Sequence, residues 1–474
     1  MQKNQKITLG ISLTILLGLS VGIGIILSNP PSWLTRQIVN TAARSQRSYP
    51  DIDQGLHVML LGTGSPMSDP DRVGPSNLVI AGDKHFIVDS GSGSTRNLLL
   101  SGISPGLIDA VFLTHFHSDH IADLGELMLQ RWATEGNSAP LHIYGPPGVT
   151  SVVDGFNDAF ELDATYRTAH HGEENVSING SGGIAYPILI SNDTMAGMEI
   201  FNEAGIVITM FNVNHYPVEP AVGYKFEYKG RSVVISGDSV YSENLEAQSA
   251  NADLLICEAL NAEVVQMINE ATSEGGSSIS NGEIILTDIQ DYHMSPEDAA
   301  TTAKNANVEF LVYTHMIPPL PESQIAERLF IGDAAKIFDG EIAIGYDGFF
   351  ISMPKYSEVI ITTNLLKDVA QFPPVVIIVI SLLMLILMFV VGRKISKKKE
   401  LKAPILITVV AVVMSLLLLT RISEFIHAGF NGRTAFNFLV EAVILIWSIL
   451  ILKKTRKIPQ AEKKVDKTKE PIQT

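Results

Sequence analysis

The chain is 474 residues long and 46% hydrophobic, with 34 lysines and arginines against 50 aspartates and glutamates, a formal net charge of −16. That length allows one or two sizeable cores, and the single cysteine, Cys257, excludes an intramolecular disulfide. Charge is unevenly spread: residues 29–372 hold 16 basic and 44 acidic side chains, a net of −28, with +2 before them and +10 after. The central part therefore lacks the basic stripe that phosphate backbones require, and nucleic acid is an unfavourable partner.

Residues 7–27 carry no charge, and that run, at ~1.5 Å per residue, spans a ~30 Å hydrocarbon core. "SNPPSW" follows without an A-x-A-like cleavage site, so an uncleaved anchor is expected. Residues 29–50 read as a polar linker. Strands are then predicted at 56–61, 76–81, 85–89, 110–114, 141–144, 206–213, 222–228, 232–236, 254–258 and 310–314. Helices are predicted at 94–101, 121–133, 149–159, 296–305 and 322–330. The alternation gives an α/β class with helices layered over sheet. "SEGGSSISNGE", residues 273–283, is expected to be a mobile loop, and Cys257 a buried strand residue.

Three more apolar runs, 374–391, 403–420 and 435–452, close the chain, with "GRKISKKKELK" and "KKTRK" between and after them. Basic flanks face the cytoplasm. The expected organisation is a cytoplasmic N-terminus and anchor (1–28), a linker (29–50), a globular domain (51–356), a linker (357–373), three transmembrane helices (374–452) and a basic cytoplasmic tail (453–474). The domain then faces outward, on a multi-pass protein in the bilayer. Glu441 is an intramembrane acid and so a functional candidate.

"LTHFHSDHIADL", residues 113–124, places His115, His117, Asp119 and His120 within six residues of a chain that has twelve histidines. A strand pattern runs into the cluster and a helix pattern out of it. Imidazoles this close repel when protonated and are stable together when neutral and bound to a cation. His115 and His117 point the same way on extended backbone, whereas Asp119 and His120 follow at a turn, so two neighbouring metal positions are expected. His215, Asp238 and His315 each follow an apolar run, and strand ends deliver side chains into a common crevice. Singly, Asp238 in "SGDS" also reads as a turn residue, and His215 as a satisfied strand-end histidine.

"THFHSDH" with the downstream His, Asp and His resembles the metallo-β-lactamase fold superfamily of hydrolases over residues 55–350. "LGTGSP" and "VDSGSGS" resemble its early glycine turns. The resemblance implies an αββα sandwich in which His115, His117 and His215 hold one metal. Asp119, His120 and His315 hold a second, and Asp238 bridges. Two zinc ions suit this donor set best, with iron and manganese as alternatives. "ICEAL" and "YHMSPEDAA" resemble the branch of ribonuclease Z and the arylsulfatases of this fold, and single out Glu258 and His293. "YGPPG" and "LDATYRTAHHG" resemble the arylsulfatase side, and no long glycine/proline-rich arm of the bacterial ribonuclease Z type is evident.

The implied reaction is attack by a metal-activated hydroxide on a phosphodiester or sulfate ester. Asp119 would orient the nucleophile, and His293, oriented by Glu258, would donate to the leaving oxygen. "SPEDAA" also reads as a helix start, with Ser295 as N-cap and Pro296 in the first turn. His170 and His171 are expected at the pocket mouth or on a solvated loop, and His142 in the core. The expected substrate is a small anionic or aryl ester. A 3′-tRNA endoribonuclease and a non-catalytic metal-binding membrane sensor are the alternatives, and a homodimer stays open.

Overall fold

A computed structural model describes residues 54–191, 197–274 and 287–366, together with Arg36. The expected apolar segments at 7–27, 374–391, 403–420 and 435–452, Glu441, and most of the expected mobile loop lie outside those residues. Among the described residues no helix is long and apolar enough to cross a membrane.

The elements run β1 (Leu56–Gly62), β2 (Ser76–Ala81), β3 (Lys84–Val88), α1 (Ser94–Leu100), β4 (Ile108–Phe112), α2 (Ser118–Ile121), α3 (Leu124–Glu135), β5 (Leu141–Gly145) and α4 (Val149–His171). They continue β6 (Gly183–Pro187), β7 (Met198–Glu203), β8 (Ile206–Asn212), β9 (Val222–Tyr228), β10 (Arg231–Ile235), α5 (Glu243–Gln248), β11 (Leu254–Leu260) and α6 (Ala262–Glu274). The last are α7 (Pro296–Asn305), β12 (Phe310–Ile317), α8 (Gln324–Ile331), α9 (Ala334–Ile337), β13 (Glu341–Ile344), β14 (Phe349–Met353) and β15 (Ile361–Asn364). One sheet has the order β15-β14-β1-β2-β3-β4-β5-β6 and the other β13-β12-β11-β10-β9-β8-β7.

Side chains alternate across each strand, and both faces of the central strands are apolar, so each strand reads as a near-continuous hydrophobic run. Leu56, Val58 and Leu60 of β1 face Ile208, Phe226 and Ile256 of the second sheet in the core between the sheets. Met59 and Leu61, on the other face of β1, pack with Leu98 of α1, Leu124 and Leu127 of α3 and Val149 of α4. The outer face of the second sheet uses Leu255, Cys257, Leu311 and Tyr313 against Ala299, Ala300 and Ala303 of α7. The result is an α/β fold of two sheets covered by helices on both outer faces, and Cys257 is buried in it.

Several boundaries differ from expectation for identifiable reasons. Helix α4 runs to His171 rather than to 159, with only Val149, Val153 and Ala164 buried, so most of its length shows no apolar periodicity to read. His170 and His171 form its exposed last turn and are not among the residues that line the cavity at the site. His142 is exposed, against the expectation of a core position, because β5 presents it on the face away from Leu141 and Ile143. The segment expected as a linker from 357 contains β15, which pairs antiparallel with β14 from Phe349↔Asn364 to Ser352↔Ile361. Strands β6, β7 and β15 carry mixed or exposed patterns typical of sheet edges, so hydrophobicity alone does not mark them.

Candidate metal centre

Five chain segments deliver the site. The loop after β4 carries His115 and His117, and the short α2 carries Asp119 and His120. His215 follows β8, Asp238 follows β10, and Glu258 and His315 lie within β11 and β12. In β12, Thr314 pairs with Glu258 and Met316 with Ala259, so His315 is the extra residue of a bulge. It adopts a left-handed φ of 46°. A bulge bends a strand and re-aims one side chain, which turns His315 from the sheet toward the histidine-rich turn. The sequence places His315 at a strand end; it is instead a kink inside the strand.

All seven expected ligands converge. Ligand atoms of His115, His117, His215 and Asp238 form one group within 4.8 Å of one another, and Asp119, His120 and His315 form a second. Asp238 stands between them: its Oδ2 is 3.3 Å from His120 Nε2, 3.4 Å from His315 Nε2, 3.8 Å from His115 Nε2 and 3.9 Å from His215 Nε2. Asp119 Oδ2 lies 3.1 Å from His315 Nε2 and 3.6 Å from His120 Nε2.

The surroundings decide which ring nitrogen faces inward. His215 Nδ1 donates to the Tyr292 carbonyl at 2.8 Å, since a carbonyl can only accept. His120 Nδ1 lies 2.8 Å from Asp89 Oδ2. The Thr114 hydroxyl donates to the same Asp89 oxygen at 2.8 Å, and so accepts from His115 Nδ1 at 3.1 Å. Each of the three rings thus turns Nε2 toward Asp238, its Nδ1 held by a neighbouring oxygen in the way that orients a metal-binding imidazole. Nε2 of His120 and of His215 are buried without a hydrogen-bond partner. Inward-facing, unpartnered nitrogens grouped around two carboxylates fit a pair of divalent cations, and imidazole with carboxylate suits zinc.

Asp89 escaped the sequence reading, although "HFIVD" shows the same strand-then-aspartate signal that marks Asp238. It too has a left-handed φ, 59°, and its Oδ1 accepts from Thr114 N–H at 2.8 Å. The glycine turn at 88–94 and Gly74 of the facing loop have a steric reason. A Cβ on Gly91 would meet the Asp119 carbonyl oxygen at 2.4 Å, and one on Gly74 would meet Ser92 N at 2.6 Å. Two loops interlock directly behind Asp119.

Electrostatics follow from burial and proximity. Burial drives the His115, His117 and His215 pKa values down. For His120 burial acts downward too, but the carboxylates of Asp238 and Asp89 raise it well above the ordinary value. His315 is likewise opposed by burial, yet Asp238 and the hydrogen bond to Asp119 raise it to about 9. Burial would raise the Asp238 carboxyl, but His120 and His315 hold it well below the usual range. Asp119 is also lowered, burial being outweighed by the His315 hydrogen bond and His120. The raised histidines and the lowered carboxylates are two sides of the same attractions among His120, His315, Asp119 and Asp238.

Beside the ligands lies a cavity of about 290 Å³ lined by His117, Asp119, Asp238 and His293 and by the uncharged side chains Met67, Tyr292 and Ile317 among others. His293 is buried, with Nδ1 2.9 Å from Glu258 Oε1. That oxygen also accepts from the backbone N–H groups of Ser239 at 3.0 Å and Met294 at 3.2 Å. Immediately after His293, Ser295 caps α7 by accepting from Asp298 N–H at 3.0 Å, with Pro296 in the first turn, as the sequence predicts.

The family model described as Metallo-beta-lactamase superfamily matches residues 69–315, just over half of the chain and the span that holds every ligand named above. The chain belongs to the metallo-beta-lactamase superfamily. It is a metal-dependent hydrolase by that membership and by its donor set. Among curated proteins, the ribonuclease Z of Mycobacterium bovis (strain BCG / Pasteur 1173P2) is 37% identical over 294 residues, covering 62% of this chain and 96% of that protein. The ribonuclease Z of Mycobacterium marinum (strain ATCC BAA-535 / M) is 35% identical with the same coverage. Among solved structures, human tRNase Z, short form, matches 63% of this chain and 99% of its own at 23% identity, with a TM-score of 0.45.

Proposed function

We propose that this metallo-beta-lactamase superfamily member is a phosphodiesterase of RNA, an endoribonuclease of the ribonuclease Z kind. The observation that carries the reading is the 37% identity sustained along 96% of the Mycobacterium bovis ribonuclease Z. The relatives named above favour it over the arylsulfatase reading. The acidic surface that made nucleic acid an unfavourable partner is a property of the whole domain. The cavity wall beyond the ligand set and His293 carries no charge, and the field that a scissile phosphate meets is set locally.

Two divalent cations in this donor set would supply a nucleophile from water at neutral pH and neutralise charge on a phosphoryl group. The chain's own residues do the rest. Asp119 and Asp238 offer carboxylate oxygens on the cavity side, one orienting the attacking water by hydrogen bond and the other held between the two ligand groups. His293, with Nδ1 committed to Glu258, has Nε2 for the substrate; as the imidazolium it passes a proton from Nε2 to the leaving oxygen, and Glu258 stabilises the charged ring.

A second reading, hydrolysis of a small aryl or anionic ester, draws support from the modest cavity and the apolar Met67, Ile289 and Ile317 in its wall. The full chain, zinc-loaded, should be offered a precursor tRNA with a 3′ trailer, bis(p-nitrophenyl) phosphate and an aryl sulfate. The proposal expects endonucleolytic cleavage of the RNA, abolished by His117→Ala. Turnover of the aryl sulfate or the small diester with the RNA left intact would overturn it. An RNA substrate also places the domain in the cytoplasm, opposite to the orientation read from the basic flanks. Protease access to the domain in intact cells separates the two.

A further inference from the structure

The connection from β1 to β2, residues 63–75, contributes Pro66 and Met67 to the cavity wall and contains no helix or strand of its own. Both of its feet are tied to one side chain that lies far along the chain. Thr63 donates its backbone N–H at 3.0 Å and its hydroxyl at 2.9 Å to Oδ1 of Asp347. Val73 N–H donates to Oδ2 at 2.9 Å, and Asn97 Nδ2 of α1 donates to the same oxygen at 2.9 Å. Gly64 N–H closes the neck on the Val73 carbonyl at 2.8 Å. The buried Arg72 reinforces it, donating from Nη1 to Thr63 Oγ1 at 2.7 Å and to the Gly345 carbonyl at 2.5 Å.

We propose that Asp347 is a positioning residue for the substrate pocket: one carboxylate pins both feet of loop 63–75 and thereby sets where Pro66 and Met67 stand against Asp119 and His293. It is not a ligand and is not among the residues lining the cavity, and it lies beyond residues 69–315, where the family match ends. The geometry requires a carboxylate. Four donors converge on Asp347, two at each oxygen, and a carboxyl group accepts at both; an amide there accepts at one oxygen and presents N–H groups to the donors at the other. Buried donors left without an acceptor are costly, so the loop feet would detach rather than stay dry and unpaired.

The proposal rests on the cavity being the substrate pocket of the proposed function. Its test is Asp347→Asn in the full, zinc-loaded chain, read by hydrogen–deuterium exchange and by kinetics on the RNA. Exchange across residues 63–75 should rise about tenfold or more, because the opening becomes local rather than global. Peptides covering residues 113–124 and 236–240, and the zinc content, should match the wild type. The catalytic loss should fall mainly on KM, by about fivefold or more, as expected when a binding wall is displaced. Unchanged exchange at 63–75, or a loss confined to kcat, overturns the proposal. If Asp347→Asn does not fold, Thr63→Val removes one of the four bonds and should raise exchange at 63–75 by about two- to fivefold; no rise there also overturns it. The exchange readout needs no substrate, so failure of the RNA reading, seen as no cleavage by the wild type, is distinct from failure of this one.

Discussion

Glu258 Oε1 accepts from His293 Nδ1 at 2.9 Å while also holding the backbone N–H groups of Ser239 and Met294. One carboxylate oxygen therefore fixes the ring, the residue after it and the residue after Asp238. Glu258→Gln keeps the shape but cannot stabilise an imidazolium. We expect kcat to fall by roughly 10–100-fold with zinc content unchanged, and His293→Ala to fall by about 10²–10⁴-fold. Steady-state kinetics with metal analysis by emission spectroscopy checks both; loss of zinc in Glu258→Gln would contradict the assignment.

Asp89 binds His120 Nδ1 and both the N–H and the hydroxyl of Thr114. Asp89→Asn removes one of those acceptors and lets the His120 ring rotate. Metal affinity at the position served by Asp119, His120 and His315 should weaken by about 10–100-fold, as for other outer-shell partners of metal-binding histidines. The position served by His115, His117 and His215 should change less. Competition with a chromophoric chelator resolves the two stoichiometric steps.

Metal binding should release protons. His315, at about 9, carries a proton in the cation-free protein at neutral pH, and His120 is shifted in the same direction. A ligand nitrogen must lose that proton, so apparent affinity rises with pH until about 9, by roughly tenfold per unit for each proton displaced. Calorimetric titration of zinc in buffers of different ionisation enthalpy should report release of at least one proton per chain near pH 7.

Burial raises the Asp347 carboxyl to about 6, against the opposing hydrogen bonds from Val73 and Thr63 and the charge of Arg72, which Asp69 partly offsets at 3.9 Å. A carboxyl raised on folding binds more protons in the folded state between its unfolded value of 3.8 and 6. Stability from this group is therefore gained as pH falls through that window and lost as pH rises through it, by up to about 3 kcal/mol. The unfolding free energy of the wild type relative to Asp347→Asn should increase from pH 7 to pH 4. A pH-independent difference in urea melts would show that the carboxyl is not shifted.

Local patterns made much of this protein legible. The spacing of His115, His117, Asp119 and His120 is a short-range signal, because only a turn between strand and helix can bring those four together without crowding. His215 and Asp238 were marked by the strand-end rule, since a strand must stop where its polar side chains enter a crevice. Strands β2 and β9 matched their predicted limits residue for residue: β2 is buried along its whole length, and β9 alternates buried apolar residues with half-buried Lys225 and Glu227, a readable period of two. The strand-end signal also stands at Asp89, at the close of "HFIVD".

The strand-and-helix alternation, the apolar strands of the two sheets and the crowding of imidazoles at one turn are local properties of the chain, because they depend on neighbours only a few residues away. The tertiary structure alone decided that His315 is a bulge residue aimed at Asp238, that Asp89 holds the His120 ring, and that Asp347 reaches back 284 residues to Thr63. Each of those is a contact between distant segments whose register is set by strand pairing, and no local periodicity carries that information.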